Sequence, residues 1–351
     1  MPTSNIVVNV ITGFLGSGKS TLLNALVSRP ELADTAVIVN EFGEVGIDHQ
    51  LISSAIDQMV LLENGCVCCE VRGDLVDTLE LLEMRVSEGL IPSFSRVVLE
   101  TTGLADPAPI LHTLMIEPRL LKRFHLGRVA VTLDALNGGG SLNDFGEARK
   151  QIAVADIALL TKTDLVDKEE VSALEERIFQ LNPGVKLFHV TQGDLSEELA
   201  KLLVGEDQGD APSRIHSDIL AYLDTNRHQH ENHNHHNKND HFHGGGEHTG
   251  GIKTASIVIE EPIEWEDFTS WIDTVTSLRG PDLLRLKGFL NISGRNGPVV
   301  IHAVQHVVHP PVQLAEWPDE DHRTRVVCIT RNIQPASLIN ALLAFCKPAA
   351  G

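Results

Sequence analysis

The sequence predicts an α/β fold in which a mainly parallel sheet is flanked by helices and is followed by a small C-terminal α+β domain. Short β-branched runs alternate with helical patterns from Ile6 to about Val204, which is typical of parallel β-α-β units. These runs are mostly continuously apolar, as expected when helices cover both faces of a sheet. A polar, histidine-rich stretch then separates this region from a shorter series of strands and helices.

Apolar periodicity predicts the individual elements. In the first region, strands are predicted at Ile6–Thr12, Ala36–Asn40, Arg96–Glu100, Val129–Asp134, Ile157–Thr161 and Lys186–Val190. A helix is predicted where apolar residues recur at helical spacing from Leu75 to Val86. In the last region, strands are predicted at Lys253–Glu260 and Thr324–Thr330, and helices at Glu264–Leu278 and Pro335–Phe345.

The histidine-rich stretch divides the chain. It runs from His228 to His248 with eight histidines, a glycine triplet and no aliphatic residue, so no core forms there. We predict domains at residues 1–204 and 252–351, joined by a flexible linker at 205–251. Unorganised imidazoles bind Zn²⁺, Ni²⁺ or Co²⁺ weakly, and we favour a metal-collecting role over an inert spacer. The histidines concerned are His228, His230, His233, His235, His236, His241, His243 and His248.

Composition excludes several classes of partner. Aspartate and glutamate number 48 against 28 lysines and arginines, a formal net charge of -20, which repels a nucleic-acid backbone. No stretch approaches the roughly 18 apolar residues that span a bilayer, and the first residues do not resemble a secretory signal. Three of only five cysteines crowd together, a usage that suits a reducing compartment. We expect a cytoplasmic protein with no nucleic-acid or membrane partner.

A phosphate-binding loop is predicted at Gly13–Ser20. The segment fits G-x-x-x-x-G-K-[ST], follows a predicted strand and precedes a helix, as this P-loop motif requires. Backbone N–H groups of such a loop converge on phosphates, the lysine reaches the β and γ oxygens, and the serine hydroxyl binds Mg²⁺. The sequence therefore predicts a P-loop NTPase. The nucleotide-binding residues predicted here are Gly13, Gly16, Ser17, Gly18, Lys19, Ser20 and Thr21.

A second segment lies at a position that GTPases use to bind Mg²⁺ and the γ-phosphate. Glu100 ends a predicted strand and Gly103 follows shortly after it, so the carboxylate can hold the water shell of Mg²⁺ and the Gly103 N–H can face the γ-phosphate. We predict Lys19 and Glu100 as catalytic residues that act by electrostatics and positioning, with slow turnover in the absence of a stimulating partner. No side chain is identified as a general base.

A third segment indicates the base. Thr161, Lys162 and Asp164 follow another predicted strand in the order Thr-Lys-x-Asp, which resembles the guanine-reading Asn-Lys-x-Asp of GTPases. The carboxylate would accept from guanine N1–H and the exocyclic amine. Because Thr161 replaces the usual Asn, GTP is favoured over ATP but not settled. For Asp164 alone, the alternative is an acid that stabilises a helix N-terminus.

A cysteine cluster is the candidate metal site. Cys66, Cys68 and Cys69 follow Gly65 within a few residues, and three thiolates need a fourth ligand to close a tetrahedral Zn²⁺ site. An incomplete set of ligands suits a protein that carries and releases a metal better than a structural metal site. The alternatives are buried apolar cysteines or a redox sensor. The cluster lies between the P-loop helix and the Glu100 strand, where P-loop GTPases carry segments that move with the γ-phosphate.

Taken in order, these motifs resemble the CobW family of metal-handling GTPases. The match covers the P-loop, the Asn40-Glu-Phe-Gly-Glu44 segment, the Gly65–Cys69 segment and Glu100-Thr-Thr-Gly-Leu-Ala-Asp-Pro107, and continues beyond the linker in Leu284–Phe289. The resemblance implies a SIMIBI-class GTPase fold with the three cysteines as the metal motif. It also implies that Asp48 is an Mg²⁺-associated acid, and that Glu41 and Glu44 are either auxiliary metal ligands or ordinary switch residues.

We therefore expect a GTP-hydrolysing metallochaperone that binds Zn²⁺ through Cys66, Cys68 and Cys69 and transfers it to a client metalloprotein. One alternative keeps the GTPase and changes the cargo to cobalt for a cobalamin pathway or iron for a nitrile hydratase; nickel also accepts such ligands. Another is a zinc storage protein with a mainly structural nucleotide site. The identity of the client is open, and so is homodimer formation.

Overall fold

The computed structural model describes residues 6–29, 34–40, 60–61, 67–71, 75–204 and 250–346. The chain divides into two compact units, one comprising residues 1–151, 155–174 and 187–208 and the other comprising residues 152–154, 175–186 and 209–351. The domain boundaries at 204 and 251 that the sequence predicts stay predictions. No described helix is long and apolar enough to cross a membrane.

A largely parallel sheet forms the first part of the described chain. Its hydrogen-bonded order is β3-β4-β2-β5-β1-β6-β7-β8 among the described residues. The strands are β1 (Ile6–Gly13), β2 (Thr35–Asn40), β3 (Val60–Leu61), β4 (Val67–Val71), β5 (Arg96–Glu100), β6 (Phe124–Asp134), β7 (Ile157–Thr161) and β8 (Lys186–Val190). Strands β4, β2, β5, β1, β6 and β7 pair in parallel, whereas β3 runs antiparallel to β4. The predicted mainly parallel sheet is confirmed.

Helices alternate with these strands. They are α1 (Lys19–Val27), α2 (Leu75–Ser87), α3 (Ala108–Ile116), α4 (Gly138–Asp144), α5 (Gly146–Val154), α6 (Lys168–Leu181) and α7 (Glu197–Val204). Leu22 and Leu26 of α1 share a buried cluster with Ile11 of β1 and Leu199 of α7. Each fully buried leucine contributes roughly 1.5–3 kcal/mol, so α1 is fixed firmly beneath the loop that precedes it.

Strand β6 differs from its predicted bounds. It begins at Phe124 rather than at Val129, because its first half lacks the continuous apolar run that the prediction relied on. The pairing between β1 and β6 is irregular between Val8 and Val10. At this point the Asn9 side-chain oxygen accepts the Arg128 backbone N–H at 2.8 Å, so a side chain replaces part of the strand ladder.

The C-terminal part is an α+β unit, as predicted. Its sheet has the order β12-β11-β10-β14-β9, with β13 paired to β11, and its strand pairs are antiparallel. Trp271 and Phe268 are buried with Leu286 and Leu290 in the core of this unit. The elements are β9 (Ile252–Ile259), α8 (Trp265–Arg279), β10 (Leu283–Leu290), β11 (Val299–Val304), β12 (Val307–Val308), β13 (Val312–Gln313), β14 (Thr324–Arg331) and α9 (Pro335–Phe345).

Helix α4 offers a paired test of packing. A Cβ on Gly138 would meet Leu133 Cγ at 2.9 Å and Leu174 Cδ2 at 3.2 Å, whereas a Cβ on exposed Gly140 would meet nothing within 4 Å. We expect Gly138→Ala to lower the free energy of unfolding by about 1–3 kcal/mol through overpacking. Gly140→Ala should raise it by about 0.4–1 kcal/mol, because alanine restricts the unfolded chain. Thermal and urea unfolding measure both values, and equal effects of the same sign would contradict this packing.

Candidate functional site

Neighbouring parallel strands end at one edge of the first sheet, and most of the predicted site residues lie there. Strands β5, β1, β6 and β7 are adjacent in that order. Glu100 ends β5, Gly13 ends β1 and Thr161 ends β7. In open α/β sheets, ligands bind outside the carboxyl ends of the strands. The structure therefore brings together segments that the sequence separates widely.

The P-loop backbone needs glycine at three positions. Gly13, Gly16 and Gly18 have φ angles of 147°, 71° and 96°, a region that other residues rarely adopt. Gly13 also lacks space, since a Cβ there would lie 2.5 Å from the Thr132 carbonyl oxygen and 2.8 Å from Ser17 Oγ. The loop thus turns tightly between β1 and α1, as the motif predicts.

Lys19 is folded back onto the loop. Its Nζ donates to the Gly13 carbonyl at 2.9 Å and to the Phe14 carbonyl at 3.1 Å, and the residue is 8% exposed. Burial lowers the pKa of Lys19, while the nearby charge of Glu100 acts in the opposite direction. An arriving phosphate would supply the negative charge that a buried ammonium group requires.

Ser20 and Glu100 form the oxygen donor pair expected for Mg²⁺. Ser20 Oγ donates to Glu100 Oε1 at 3.1 Å, although the two residues are far apart in sequence. The next residue, Thr101, fixes the strand end, because its N–H donates to Ile11 O and its hydroxyl to Thr12 Oγ1, each at 2.9 Å. A hydroxyl and a carboxylate are hard ligands that fit Mg²⁺.

Gly103 lies directly against the P-loop. A Cβ at this position would meet the Leu15 backbone N at 2.8 Å and the Leu15 Cα at 2.9 Å. Only a residue without a side chain can therefore bring this backbone so close to the loop. This close approach agrees with the expectation that the Gly103 N–H faces the terminal phosphate, which remains a prediction.

Thr161 makes a bond that gives a structural reason for threonine in the segment predicted to read the base. Its hydroxyl donates to the Ser17 carbonyl of the P-loop at 2.8 Å and lies 3.3 Å from the Leu133 carbonyl. The side chain also lies close to Gly18, since a Cβ added to Gly18 would lie 3.5 Å from Thr161 Cγ2, at van der Waals distance. The threonine thus ties the end of β7 to the phosphate loop.

Lys162 has a partner that the sequence did not reveal. Its Nζ lies 2.6 Å from Asp134 Oδ2, and its φ of 57° is left-handed. Asp134 is 4% exposed and also accepts from the Leu136 N–H and the Asn137 amide. Burial alone would raise the pKa of Asp134, but the bonds from Lys162, Asn137 and the backbone outweigh it and lower the pKa. Asp134 is therefore an anion that orients Lys162.

Asp164 lies in a short 3-10 turn, Thr163–Leu165, and is exposed. Sequence reasoning missed the loop beside it. The Thr191 and Thr163 hydroxyl oxygens are 3.4 Å apart, and a Cβ on Gly193 would lie 3.4 Å from Thr21 Cγ2. The sequence Thr-Gln-Gly-Asp, directly after the strand predicted at Lys186–Val190, is a turn signal that could have indicated this loop.

Several predicted residues lie outside the described part of the chain. These are Glu41, Glu44, Asp48, Cys66 and the linker histidines His228, His230, His233, His235, His236, His241, His243 and His248. The backbone of Cys68 and Cys69 is described, on β4, where the two residues pair with Val37 and Ile38 of β2. Within the described ranges, no group of three or more histidine, cysteine or acidic side chains could hold a metal.

The remaining two cysteines lie in the C-terminal unit and are poor metal ligands. Cys328 is buried in the core, and burial raises the pKa of its thiol to about 12. Burial, and secondarily the charge of Asp267, raises the pKa of Cys346 to about 11. Since the thiolate is the form that binds metal, neither residue competes well for zinc near neutral pH.

Comparison with known protein families agrees with this geometry. A family model described as "CobW/HypB/UreG, nucleotide-binding domain" matches residues 7–189, more than half of the chain. The protein belongs to the CobW/HypB/UreG family. A second model, "Cobalamin synthesis protein cobW C-terminal domain", matches residues 252–346 of this CobW-family protein. The family resemblance inferred from the motifs is confirmed.

Individual relatives support the same family. Zinc chaperone YjiA of Escherichia coli (strain K12) is 31% identical over 324 residues, 92% of this chain and 93% of that protein. Zinc-regulated GTPase metalloprotein activator 1 of Schizosaccharomyces pombe is 30% identical over 197 residues, 54% of this chain and 47% of that protein. The crystal structure of Zn(II)-bound YjiA GTPase from E. coli matches with a TM-score of 0.74 and 28% identity, covering 98% and 99% of the two chains. The P-loop GTPase fold of this CobW-family protein is thereby confirmed.

The bond from Thr161 to the P-loop can be tested directly. Thr161→Val keeps the side-chain shape but leaves the Ser17 carbonyl without this donor, so the loop is less preorganised. We expect GDP to bind about tenfold more weakly, equivalent to about 1.4 kcal/mol, within the cost of an unpaired buried acceptor. Isothermal titration calorimetry measures this change. Thr274→Val is the control, since this exposed threonine donates to the Ser270 carbonyl on a helix of the C-terminal unit, and equal effects of both variants would contradict the assignment.

Proposed function

We propose that this protein is a GTP-hydrolysing metallochaperone that binds Zn²⁺ through Cys66, Cys68 and Cys69 and passes it to a client metalloprotein. The observation that carries the proposal is a shared sheet. Strand β4, with Cys68 and Cys69, pairs with β2, which pairs with β5, and β5 ends in Glu100 beside the P-loop serine. Metal motif and nucleotide site are thus linked by hydrogen-bonded strands.

The nucleotide half of the proposal rests on charge and backbone geometry. Lys19 would exchange its bonds to the Gly13 and Phe14 carbonyls for oxygens of the β- and γ-phosphates. The N–H groups of the P-loop and of Gly103 would stabilise the charge that develops on the transferred phosphoryl group. Held by Ser20 and Glu100, Mg²⁺ would neutralise charge on the β- and γ-phosphates, with Asp48 as a further associated acid. Lys19 and Glu100 are the proposed catalytic residues.

Guanine is the proposed base. Thr161 ties its segment to the P-loop, and Asp134 orients Lys162, so the segment is held rigidly at the end of β7. The exposed Asp164 carboxylate is available to accept from guanine N1–H and its exocyclic amine. Thr191–Gly193, which lies against Thr21 and Thr163, would form another part of the proposed base site.

Zinc is the proposed cargo. Thiolates are soft ligands that suit Zn²⁺, and three of the five cysteines of the chain lie in the motif. Two relatives are named for zinc. Three ligands leave one position for a residue of the client, with Glu41 and Glu44 as possible auxiliary ligands. The linker histidines would collect metal weakly, and cytoplasmic thiols would stay reduced.

Hydrolysis gives the first test of the proposal. We expect slow GTP hydrolysis by the wild type, a change in its rate on addition of stoichiometric Zn²⁺, and at least about a hundredfold loss of kcat in Lys19→Ala, because a buried cation on the phosphates is removed. Phosphate release is measured for both proteins with and without Zn²⁺. Lys122→Ala, at an exposed lysine of the same sheet domain, should behave as wild type. Equal rates in all four conditions would defeat the proposal and favour a storage protein.

Metal binding gives the second test. Replacing Cys66, Cys68 and Cys69 together by alanine should abolish high-affinity Zn²⁺ binding in a chelator competition titration, because it removes the thiolate donors. Cys346→Ala is the matched control and should leave affinity unchanged. Retention of high-affinity zinc in the triple variant would show that the ligands are assigned wrongly. Competition with Co²⁺, Ni²⁺ and Fe²⁺ in the same titration decides between zinc and the alternative cargoes.

A further inference from the structure

One buried amide holds the loop that follows Glu100. Gln151 is 1% exposed, and its Nε2 donates to the Gly103 carbonyl at 3.2 Å and to the Ala105 carbonyl at 3.0 Å. Both acceptors belong to the short stretch that faces the P-loop. A buried polar side chain with two backbone acceptors in one loop is well suited to fixing that loop's conformation.

The helix that carries Gln151 and the residue directly before it make two further contacts with the same region. Lys150 Nζ lies 2.7 Å from Asp106 Oδ2, and Asp106 Oδ1 accepts the Ala108 N–H that begins α3. Phe145, directly before α5, packs its ring 4.5 Å from the ring of Phe14 in the P-loop. Helix α5 therefore contacts the Gly103–Asp106 loop along its side, and the residue directly before the helix contacts the P-loop.

The geometry of the loop makes the amide contact relevant to phosphate. Gly103 is already pressed against Leu15 of the P-loop, and the Ala105 N–H donates to Thr102 O at 3.2 Å in a tight turn. The bond from Gln151 to the Gly103 carbonyl fixes the peptide group that follows Gly103. This restricts the direction of the Gly103 N–H, which belongs to the preceding peptide group. That N–H is the group expected to face the third phosphate of GTP, which GDP lacks.

We propose that Gln151 is a positioning residue that holds the Gly103–Asp106 loop in its γ-phosphate-facing arrangement and so sets the preference for GTP over GDP. Lys150 reinforces the same arrangement through Asp106. The inference rests on the proposed GTPase function, but it concerns nucleotide discrimination and is independent of the metal and of the client. GDP binding depends on the P-loop and the base site, whereas the side-chain amide of Gln151 donates to the Gly103–Asp106 loop.

The test compares two affinities in one variant. Gln151→Met keeps the side-chain length and removes both donated hydrogen bonds. We expect its affinity for the β,γ-imido analogue of GTP to fall about tenfold relative to GDP, with GDP affinity changed less than about twofold, and its single-turnover hydrolysis of GTP to slow. A merely structural role would weaken both nucleotides together. An unchanged affinity ratio would overturn the inference.

Asn182→Leu is the matched control. Asn182 is also a buried amide that donates to two backbone carbonyls, those of Ile152 at 2.8 Å and Ala153 at 3.4 Å. Its loss should therefore lower the unfolding temperature but leave the ratio of the affinities for the GTP analogue and GDP unchanged. If this variant shifts the ratio as far as Gln151→Met, the ratio follows stability and the inference fails.

A second variant guards against failure to fold. Lys150→Met removes a partly exposed ion pair. We expect it to lower the affinity for the GTP analogue relative to GDP by about threefold, since such pairs contribute less than buried hydrogen bonds. An unchanged affinity ratio would again overturn the inference. A wild type that binds both nucleotides but does not hydrolyse GTP would defeat the proposed function while leaving the binding test valid. A wild type that binds neither would overturn both.

Discussion

The order of the parallel strands is the constraint on which the site depends. Because β5, β1, β6 and β7 are neighbours, the residues at their carboxyl ends meet at one edge. Glu100, the P-loop, Asp134 and Thr161 come from widely separated parts of the chain, yet each is delivered by the end of a buried strand. A site built on strand ends inherits the rigidity of the core beneath it.

Buried hydroxyl groups then connect these strand ends to one another. Ser17 Oγ lies 2.6 Å from Thr132 Oγ1, Thr101 donates to Thr12, and Thr161 donates to the Ser17 carbonyl. A hydroxyl is short, and it both donates and accepts, so it can join two backbones that approach closely. Threonine at position 161 fits this pattern: it makes the P-loop contact with one hydroxyl, without the longer amide of the usual asparagine.

Much of the fold could be predicted, because apolar runs bounded by polar loops mark the strands. Arg96–Glu100 and Ile157–Thr161 have the predicted bounds, and the P-loop residues follow from a motif with strict spacing. Partners distant in sequence could not be predicted. The sequence predicts Asp134 only as the end of a strand, and its ion pair with Lys162 depends on the tertiary fold. No motif or periodicity marked Gln151, whose burial against the Gly103 loop depends on segments that are distant in sequence.

The same sheet relates the proposed metal motif to the nucleotide. Cys68 and Cys69 lie on β4, and two parallel pairings, β4 with β2 and β2 with β5, separate them from Glu100. If nucleotide state alters the geometry of the proposed cysteine site through these strands, the affinity of that site for metal changes with it. Thermodynamic linkage then requires metal to alter nucleotide affinity by the same factor. A coupling of tenfold would need only about 1.4 kcal/mol, comparable to a single buried hydrogen bond such as those that Gln151 makes.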